Sequence, residues 1–182
     1  MRSLILSLIV LVMVSGCGAS TYENRDTVGK IFPSVTGESL EEKAYKLPEA
    51  FAGKPVLLMV GYIQRTQFDL DRWILGLVQL KTPVTFVEVP TIKGLMPGLF
   101  ANWIDSAMRK GIPKEDWGGV ITVYGDASKI VEWTGNVLPE NGRICLLDET
   151  GKVIWFHDRG YSAAKVSELD KLVRSLSKKT SD

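Results

Sequence analysis

The unbroken apolar run Val56-Leu57-Leu58-Met59-Val60 constrains the fold more than any other stretch of the chain. A strand with one face in water alternates apolar and polar residues, so a continuous run entered through Gly53-Lys54-Pro55 calls for a sheet covered on both faces. The flanking sequence supplies the cover. Over residues 66–80, Leu70, Trp73, Ile74, Leu77 and Val78 recur at i, i+3, i+4, i+7 and i+8, one stripe of a helix, with Thr66 or Asp69 placed to cap its start. Residues 84–89 are rich in β-branched side chains and read as a second core strand ended by Pro90. A helix over 99–109 follows, with Phe100, Trp103, Ile104 and Ala107 on one face and Gly111-Ile112-Pro113 as its stop. Val120-Ile121-Thr122-Val123-Tyr124 is a third strand. Beyond a loop containing Gly135-Asn136, strands over 143–147 and 152–156 form a hairpin around Asp148-Glu149-Thr150-Gly151. The chain closes with a helix from Ser162 whose apolar side carries Val166, Leu169, Leu172, Val173 and Leu176. Ahead of the first buried strand, folding is expected to begin near Ile31-Phe32-Pro33. Residues 40–51 read as partly helical, Leu47-Pro48-Glu49-Ala50-Phe51 being a short helical turn. Helices between buried strands, then a late hairpin and a final helix, give an α/β three-layer sandwich with a central mixed sheet flanked by helices.

The N-terminus carries a different signal. Met1-Arg2-Ser3 supplies one positive charge, residues 4–14 are largely apolar, and Val14-Ser15-Gly16-Cys17 ends the run with small residues. This is the layout of a secretory signal peptide. It stops short of the roughly 20 apolar residues that a membrane-crossing helix requires. Val14-Ser15-Gly16-Cys17 resembles a bacterial lipobox. That resemblance implies cleavage after Gly16, acylation of Cys17 (palmitate among the chains) and a lipid anchor facing the periplasm or the exterior. Gly18, rather than Asp, follows Cys17, which favours an outer membrane where the organism has one. Residues 18–28 are polar and read as a flexible tether. The expected organisation is a signal peptide over 1–16, a lipidated Cys and tether over 17–28, and one domain over 29–182.

Charge and cysteine content exclude several function classes. The 22 basic and 21 acidic residues nearly cancel, so the chain lacks the basic face that nucleic acid demands. Lipidation of Cys17 leaves Cys145 as the remaining thiol of the two cysteines. A single thiol cannot form an intramolecular disulfide, although a secreted compartment permits one. Within Ile144-Cys145-Leu146-Leu147 it reads as a small apolar core residue.

The order of elements, together with two passages, carries a resemblance to a known family. Gly53-Lys54-Pro55 leading into residues 56–60 resembles the entry to the first central strand of redoxins. Glu140-Asn141-Gly142-Arg143-Ile144-Cys145-Leu146-Leu147-Asp148-Glu149-Thr150-Gly151-Lys152-Val153-Ile154-Trp155 resembles their closing hairpin. More narrowly, that second passage is similar to the thioredoxin-like assembly factor of mitochondrial ATP synthase, in its strand end, its basic residue, its Trp in the second strand and its Gly turn into the last helix. The resemblance implies a thioredoxin-like fold and a role in assembling a membrane complex. The redox site it would place here has lost its chemistry. A thioredoxin thiolate sits at a helix N-terminus, where backbone N–H groups and the helix dipole lower its pKa. The corresponding turn is Tyr62-Ile63-Gln64-Arg65-Thr66-Gln67, with Gln64 and Gln67 at the Cys-x-x-Cys spacing and no Cys. A peroxidase arrangement fails similarly, since Arg65 is present without its Cys. Redoxins also place a cis-proline before the first hairpin strand, where this chain has Asn141-Gly142-Arg143, with Pro139 a few residues early.

Other chemistry finds little support in the residues. His157 is the only histidine and lacks companions at metal-ligand spacing; His157-Asp158-Arg159 reads as a solvated turn. No nucleophile-elbow motif positions a Ser, and Gly118-Gly119 precedes a strand rather than opening a helix. Trp73, Trp103 and Trp155 fall on apolar periodic positions and read as core. Trp117 and Trp133 sit beside turns and read as packing residues, with an exposed binding anchor as the alternative. Leu95-Met96-Pro97-Gly98-Leu99-Phe100 is either a partner contact or a helix docking segment. The expectation is a redox-inactive, membrane-anchored binding module without cofactor or metal: a chaperone or assembly factor for an envelope or membrane complex. Two alternatives stand beside it: a divergent thiol oxidoreductase or peroxidase using Cys145, and a small-ligand carrier with a pocket bordered by Gln64, Arg65 and Gln67.

Overall fold

The computed structural model of the protein describes residues 20–94 and 101–179. Gly16, Cys17, the signal peptide and the 95–100 segment therefore lie outside the described residues. The apolar run forms β3 (Val56–Gly61), the second strand of a four-stranded sheet. It pairs in parallel with β4 (Thr85–Pro90) and antiparallel with β6 (Arg143–Leu147), which pairs antiparallel with β7 (Val153–His157). An N-terminal hairpin, β1 (Val35–Ser39) and β2 (Ala44–Leu47), joins the short β5 (Ile121–Thr122) in a second sheet. Parallel bridges Glu88–Val120 and Thr91–Val123 tie that sheet to the free edge of β4.

Burial on both faces follows from alternation within the two central strands. Val56, Leu58 and Val60 of β3, with Cys145 and Leu147 of β6, point to one side. They pack there with Phe32, Val35, Leu47 and residues of α3 (Ala127–Thr134). Leu57, Met59, Ile144 and Leu146 point to the other side, onto α1 (Gln67–Leu80) and α4 (Ala163–Lys179) through Leu70, Trp73, Leu77, Val166, Leu169 and Val173. Two apolar layers around one mixed sheet make the three-layer α/β sandwich expected from the sequence. The closing hairpin forms around Asp148, whose Oδ1 accepts hydrogen bonds from the backbone amides of Thr150 at 2.9 Å and Lys152 at 3.0 Å. Gly151 is needed there twice. Its φ is +82°, and a Cβ would stand 2.6 Å from Pro48 Cγ.

Several expectations are corrected. The short helical turn expected within residues 47–51 is present as a 3₁₀ turn over Glu49–Phe51, but the strand β2 at 44–47 ahead of it was not anticipated. Residues 127–134, ahead of the Gly135-Asn136 loop and given no element from the sequence, form α3, which buries Ala127, Ile130, Val131 and Thr134. The helix expected over 99–109 is α2 (Ala101–Gly111), and it faces inward on a different side. Asp105 turns into the protein to accept a 2.8 Å hydrogen bond from the Tyr124 hydroxyl, and this rotation leaves Trp103 72% exposed. Val78, placed on the buried stripe of α1, is also exposed.

Candidate functional site

The strands β3 and β4 end side by side, and three loops meet beyond them: the turn from β3 into α1, residues 135–142 before β6, and the connection from β7 to α4. Two side chains at the start of α1 bind these loops together. Thr66 Oγ1 accepts from the Ile63 amide at 3.3 Å and donates to the Pro139 carbonyl at 2.8 Å, so it ties the turn to the 135–142 loop instead of capping α1. Asp69 is buried; its Oδ2 accepts from the Gly142 amide at 2.9 Å and its Oδ1 from the Tyr161 amide at 2.6 Å. The residue before β6 thus has its N–H committed to a carboxylate. A proline there would have no hydrogen to donate, and even a Cβ at Gly142 would lie 2.4 Å from Leu70 Cδ2. Among the described residues the cis peptide bond is at Leu47–Pro48, elsewhere in the fold.

Arg143, the first residue of β6, has 0% of its surface exposed. Its Nη1 donates to the carbonyls of Leu138 at 3.1 Å and Asn141 at 2.7 Å. Its Nη2 donates to the carbonyls of Gly135 at 3.2 Å and Val137 at 2.8 Å, and to Asn24 Oδ1 at 3.0 Å. The guanidinium carbon lies 5.0 Å from the centre of the Tyr62 ring. Burial pushes the Arg143 pKa downward, opposed by the negative charges that Tyr62 and Asp158 would carry. A guanidinium still stays protonated in a protein, so carbonyl dipoles take over the role a carboxylate would play. Tyr62 completes the frame with a hydrogen bond to Thr134 Oγ1, and burial pushes its hydroxyl pKa up. Leu138 is held in the left-handed region at φ +54° while its side chain stays 55% exposed.

The described part of the segment expected to be a flexible tether lies across this end of the domain. Tyr22 and Asn136 exchange hydrogen bonds, the Asn136 amide to Tyr22 O at 2.9 Å and the Tyr22 amide to Asn136 Oδ1 at 2.6 Å. The Arg25 amide donates to Thr134 O at 3.0 Å, and Asn24 Oδ1 also accepts from the Val137 amide at 2.9 Å. Gly135, at φ +82°, makes the approach possible, since a Cβ there would stand 2.3 Å from Glu23 O. Thr27 is fully buried, and Gly29 bonds to Val153 O at 2.8 Å. Most side chains of this stretch are exposed, which accounts for its polar composition, but these bonds pin its backbone to the domain, so the packed unit begins ahead of residue 29.

Of the residues singled out in sequence, Gln64 and Arg65 are exposed on the 3₁₀ turn Gln64–Thr66. Gln67 is occupied, its Nε2 donating to Asp71 Oδ1 at 2.8 Å and Glu88 Oε2 at 3.0 Å. Burial raises the Glu88 pKa. The structure brings the three together on one turn, but the residues that organise the site are Tyr62, Thr66, Asp69, Thr134 and Arg143. One signal for them is readable in the chain: Arg143 is a lone charge opening an otherwise apolar strand. These side chains occupy the buried side of the turn, while Gln64, Arg65 and Gln67, which would border the small-ligand pocket, stand exposed on its outer side. A described hollow of about 240 Å³ lies at the opposite end of the sheet, lined by residues that include Phe51, Lys54, Pro55 and Thr85.

Cys145 is wholly buried, and desolvation pushes its thiol pKa far above the ordinary range. His157 is not a solvated turn residue. Its ring lies 5.5 Å from that of Trp73 and 6.0 Å from that of Trp155, with Nε2 2.8 Å from Gly160 O. Trp133 packs edge-on against Phe32 at 5.3 Å, and Trp117 donates to Ile112 O at 3.0 Å. Among the described residues no group of three or more His, Cys, Asp or Glu converges to hold a metal ion, and no helix is long and apolar enough to cross a membrane.

No protein-family model matches the chain, and no curated protein matches it in sequence. Solved structures do match in shape. A SCO1/SenC family lipoprotein from Bacillus anthracis superimposes with a TM-score of 0.57 at 12% identity, over 85% of this chain and 99% of its own. The exposed lipoprotein thioredoxin of Streptococcus pneumoniae gives 0.52 at 13% identity, over 76% and 98%. A thiol peroxidase from Chromobacterium violaceum gives 0.54 at 11%, over 85% and 90%. At such identities the likeness establishes the fold, which is thioredoxin-like.

Proposed function

We propose that this thioredoxin-like domain is a lipid-anchored module of the cell envelope that binds a protein partner, as a chaperone or assembly factor, without thiol chemistry. The observation that carries the reading is the frame around Arg143. Redoxins need a mobile proton and a thiolate at this end of the sheet. Here the polar groups of Thr66, Asp69 and Arg143 are committed to holding three loops in place. Outward, beside the exposed Gln64 and Arg65, the frame presents three large apolar side chains: Ile63 and Leu138 on the loops that Thr66 joins, and Phe68 in the first turn of α1. A leucine kept exposed in a left-handed backbone conformation is a strained feature of the kind found at binding surfaces. Its pre-set geometry lowers the ordering cost of association.

Anchoring at Cys17 follows from the lipobox-like Val14-Ser15-Gly16-Cys17. It accords with the fact that the Bacillus anthracis and Streptococcus pneumoniae proteins of similar shape are themselves lipoproteins. The similarity to the ATP synthase assembly factors contributes the role of a binding partner in assembly, and the client is left to experiment. A photo-crosslinking amino acid at position 68, introduced in cells, is expected to yield one discrete protein adduct that Leu138→Asp abolishes while the fold survives. An adduct indifferent to Leu138→Asp, or capture of a small molecule alone, would defeat the proposal.

A further inference from the structure

The N-terminal segment does more than join an anchor to a domain. It is pinned at both ends of the sheet: Gly29 bonds to Val153 O at the start of β7, and residues 22–25 bond to residues 134–137 at the other end. Because β7 starts beside the entry to β3, the segment runs the length of the sheet and emerges at the end that carries Leu138. Its first described contact is Asn136 Nδ2 donating to Ser20 O at 3.2 Å. A second runs from the Tyr22 hydroxyl to Glu132 Oε1 at 3.1 Å, with Lys93 Nζ 5.0 Å from the Tyr22 ring.

From this we infer that residues 20–29 form a rigid strap that fixes the domain's orientation on the bilayer, with the Ile63/Leu138 end turned toward the headgroups. The partner of that end is accordingly the membrane-surface portion of an integral membrane protein. The inference rests on the anchored, partner-binding reading above and adds a geometry to it. A fully extended chain advances at most about 3.5 Å per residue, so Ser20 lies within about 10 Å of an acylated Cys17 and Tyr22 within about 18 Å. Leu138 follows Asn136 by two positions in sequence, and so stays within about 25 Å of the anchor. Lys54, by contrast, precedes β3, whose six residues put it roughly 20 Å away along the strand direction. A free linker would let either end face the membrane, whereas a strap bonded along its length does not. Charge does not set this orientation. At this end Arg25, Arg65 and Lys93 are matched by Glu23, Glu132 and Glu140, so lipid composition has little to act on.

The test uses the lipidated full-length protein, purified from membranes and placed in phosphatidylcholine vesicles bearing a nitroxide on the headgroup. Leu138→Cys and Lys54→Cys variants each carry one fluorophore, the buried Cys145 remaining unlabelled. Quenching is expected to be at least threefold greater at 138 than at 54, unchanged by anionic lipid, and equalised by about 20 Gly/Ser residues inserted after Ala19. Equal quenching in the parent protein overturns the orientation while leaving the anchor intact. A mature protein with no acyl chain on Cys17 by mass spectrometry, which then fails to float with the vesicles, overturns both.

Discussion

Replacing Arg143 with methionine asks whether the carbonyl frame is what holds the loop end of the domain. The side chain is fully buried and makes five hydrogen bonds, four to backbone carbonyls and one to Asn24. Each bond to a charged donor is worth about 1.5–3 kcal/mol. Against this stands the several kcal/mol that desolvating a cation costs, which methionine avoids. Water replaces part of what the partly exposed Val137, Leu138 and Asn141 carbonyls lose, but the Gly135 carbonyl belongs to a buried residue. A buried acceptor left unsatisfied costs about 1–3 kcal/mol, and with the partial losses at the other carbonyls a net loss of about 3 kcal/mol is expected in urea unfolding. The loss has a location. Leu138 keeps its left-handed backbone only while its carbonyl is held, so the 135–141 loop relaxes first and the strap loosens with it. Hydrogen exchange at the Arg25, Asn136 and Val137 amides should accelerate by an order of magnitude or more, with the amides of β3 following global stability. Arg143→Lys should fail similarly, because one ammonium with three donors cannot span five acceptors. A loss under about 1 kcal/mol with unchanged exchange at 136–137 would refute the reasoning.

Asp69→Ala orphans the Gly142 and Tyr161 amides and should cost about 3 kcal/mol in urea unfolding; Asp71→Ala, on an exposed position of the same helix, should cost less than about 1 kcal/mol. Cys145, buried and held protonated, should resist a thiol reagent until the protein unfolds, and Cys145→Ser should leave insulin reduction at the background rate of the parent protein. Glu88 has its pKa raised by burial, so the folded state holds that proton more tightly than the unfolded chain does. The destabilisation from its ionisation therefore grows as pH climbs from the ordinary glutamate value of 4.5 through the folded pKa, and is complete above it. Glu88→Gln is expected to raise stability at neutral pH and to make no difference in acid, as read by thermal unfolding at the two pH values.

The central sheet was legible because its strands state their burial outright. Nothing but a sheet covered on both faces accommodates residues 56–60, and the stripe Leu70, Trp73, Leu77 identifies one cover. The N-terminal hairpin was not, because β1 buries Val35, Gly37 and Ser39 in alternation, and two of those three are too small to register as apolar. Gly37 is there because a Cβ would meet Ile121 Cγ2 at 2.7 Å, a constraint imposed by a strand far along the chain. α3 did show its pattern, with Ala127, Ile130, Val131 and Thr134 at helical spacing, but at eight residues it is short enough to pass for the loop that follows. Trp103 misled for a physical reason: periodicity counts apolar residues, and the inward face of α2 is set by the polar bond between Asp105 and Tyr124. At the candidate site the loss of thiols was plain at positions 64 and 67. What replaced them was not, since Asn24, Thr66, Asp69 and Arg143 are brought together only by the fold.

That replacement couples two features the sequence keeps far apart. Arg143 Nη2 grips both Asn24 in the strap and Val137 in the loop that presents Leu138, so on the proposed reading the same cation orders the link to a lipid anchor and the exposed rim. A redoxin could not easily make this arrangement. The guanidinium's bonds to the 135–141 carbonyls would have to yield whenever that loop moved to admit a substrate disulfide. Conversely, a binding site of the proposed kind gains nothing from loop motion and loses binding energy to it, since each mobile side chain at an interface must be ordered at about 0.5–1.5 kcal/mol. On the proposed binding reading, the absence of cysteines at the turn and the bonds that fix the loops around Arg143 serve the same end. It follows that binding and orientation should fail together in Arg143→Met, even where the lipid still holds the protein at the membrane.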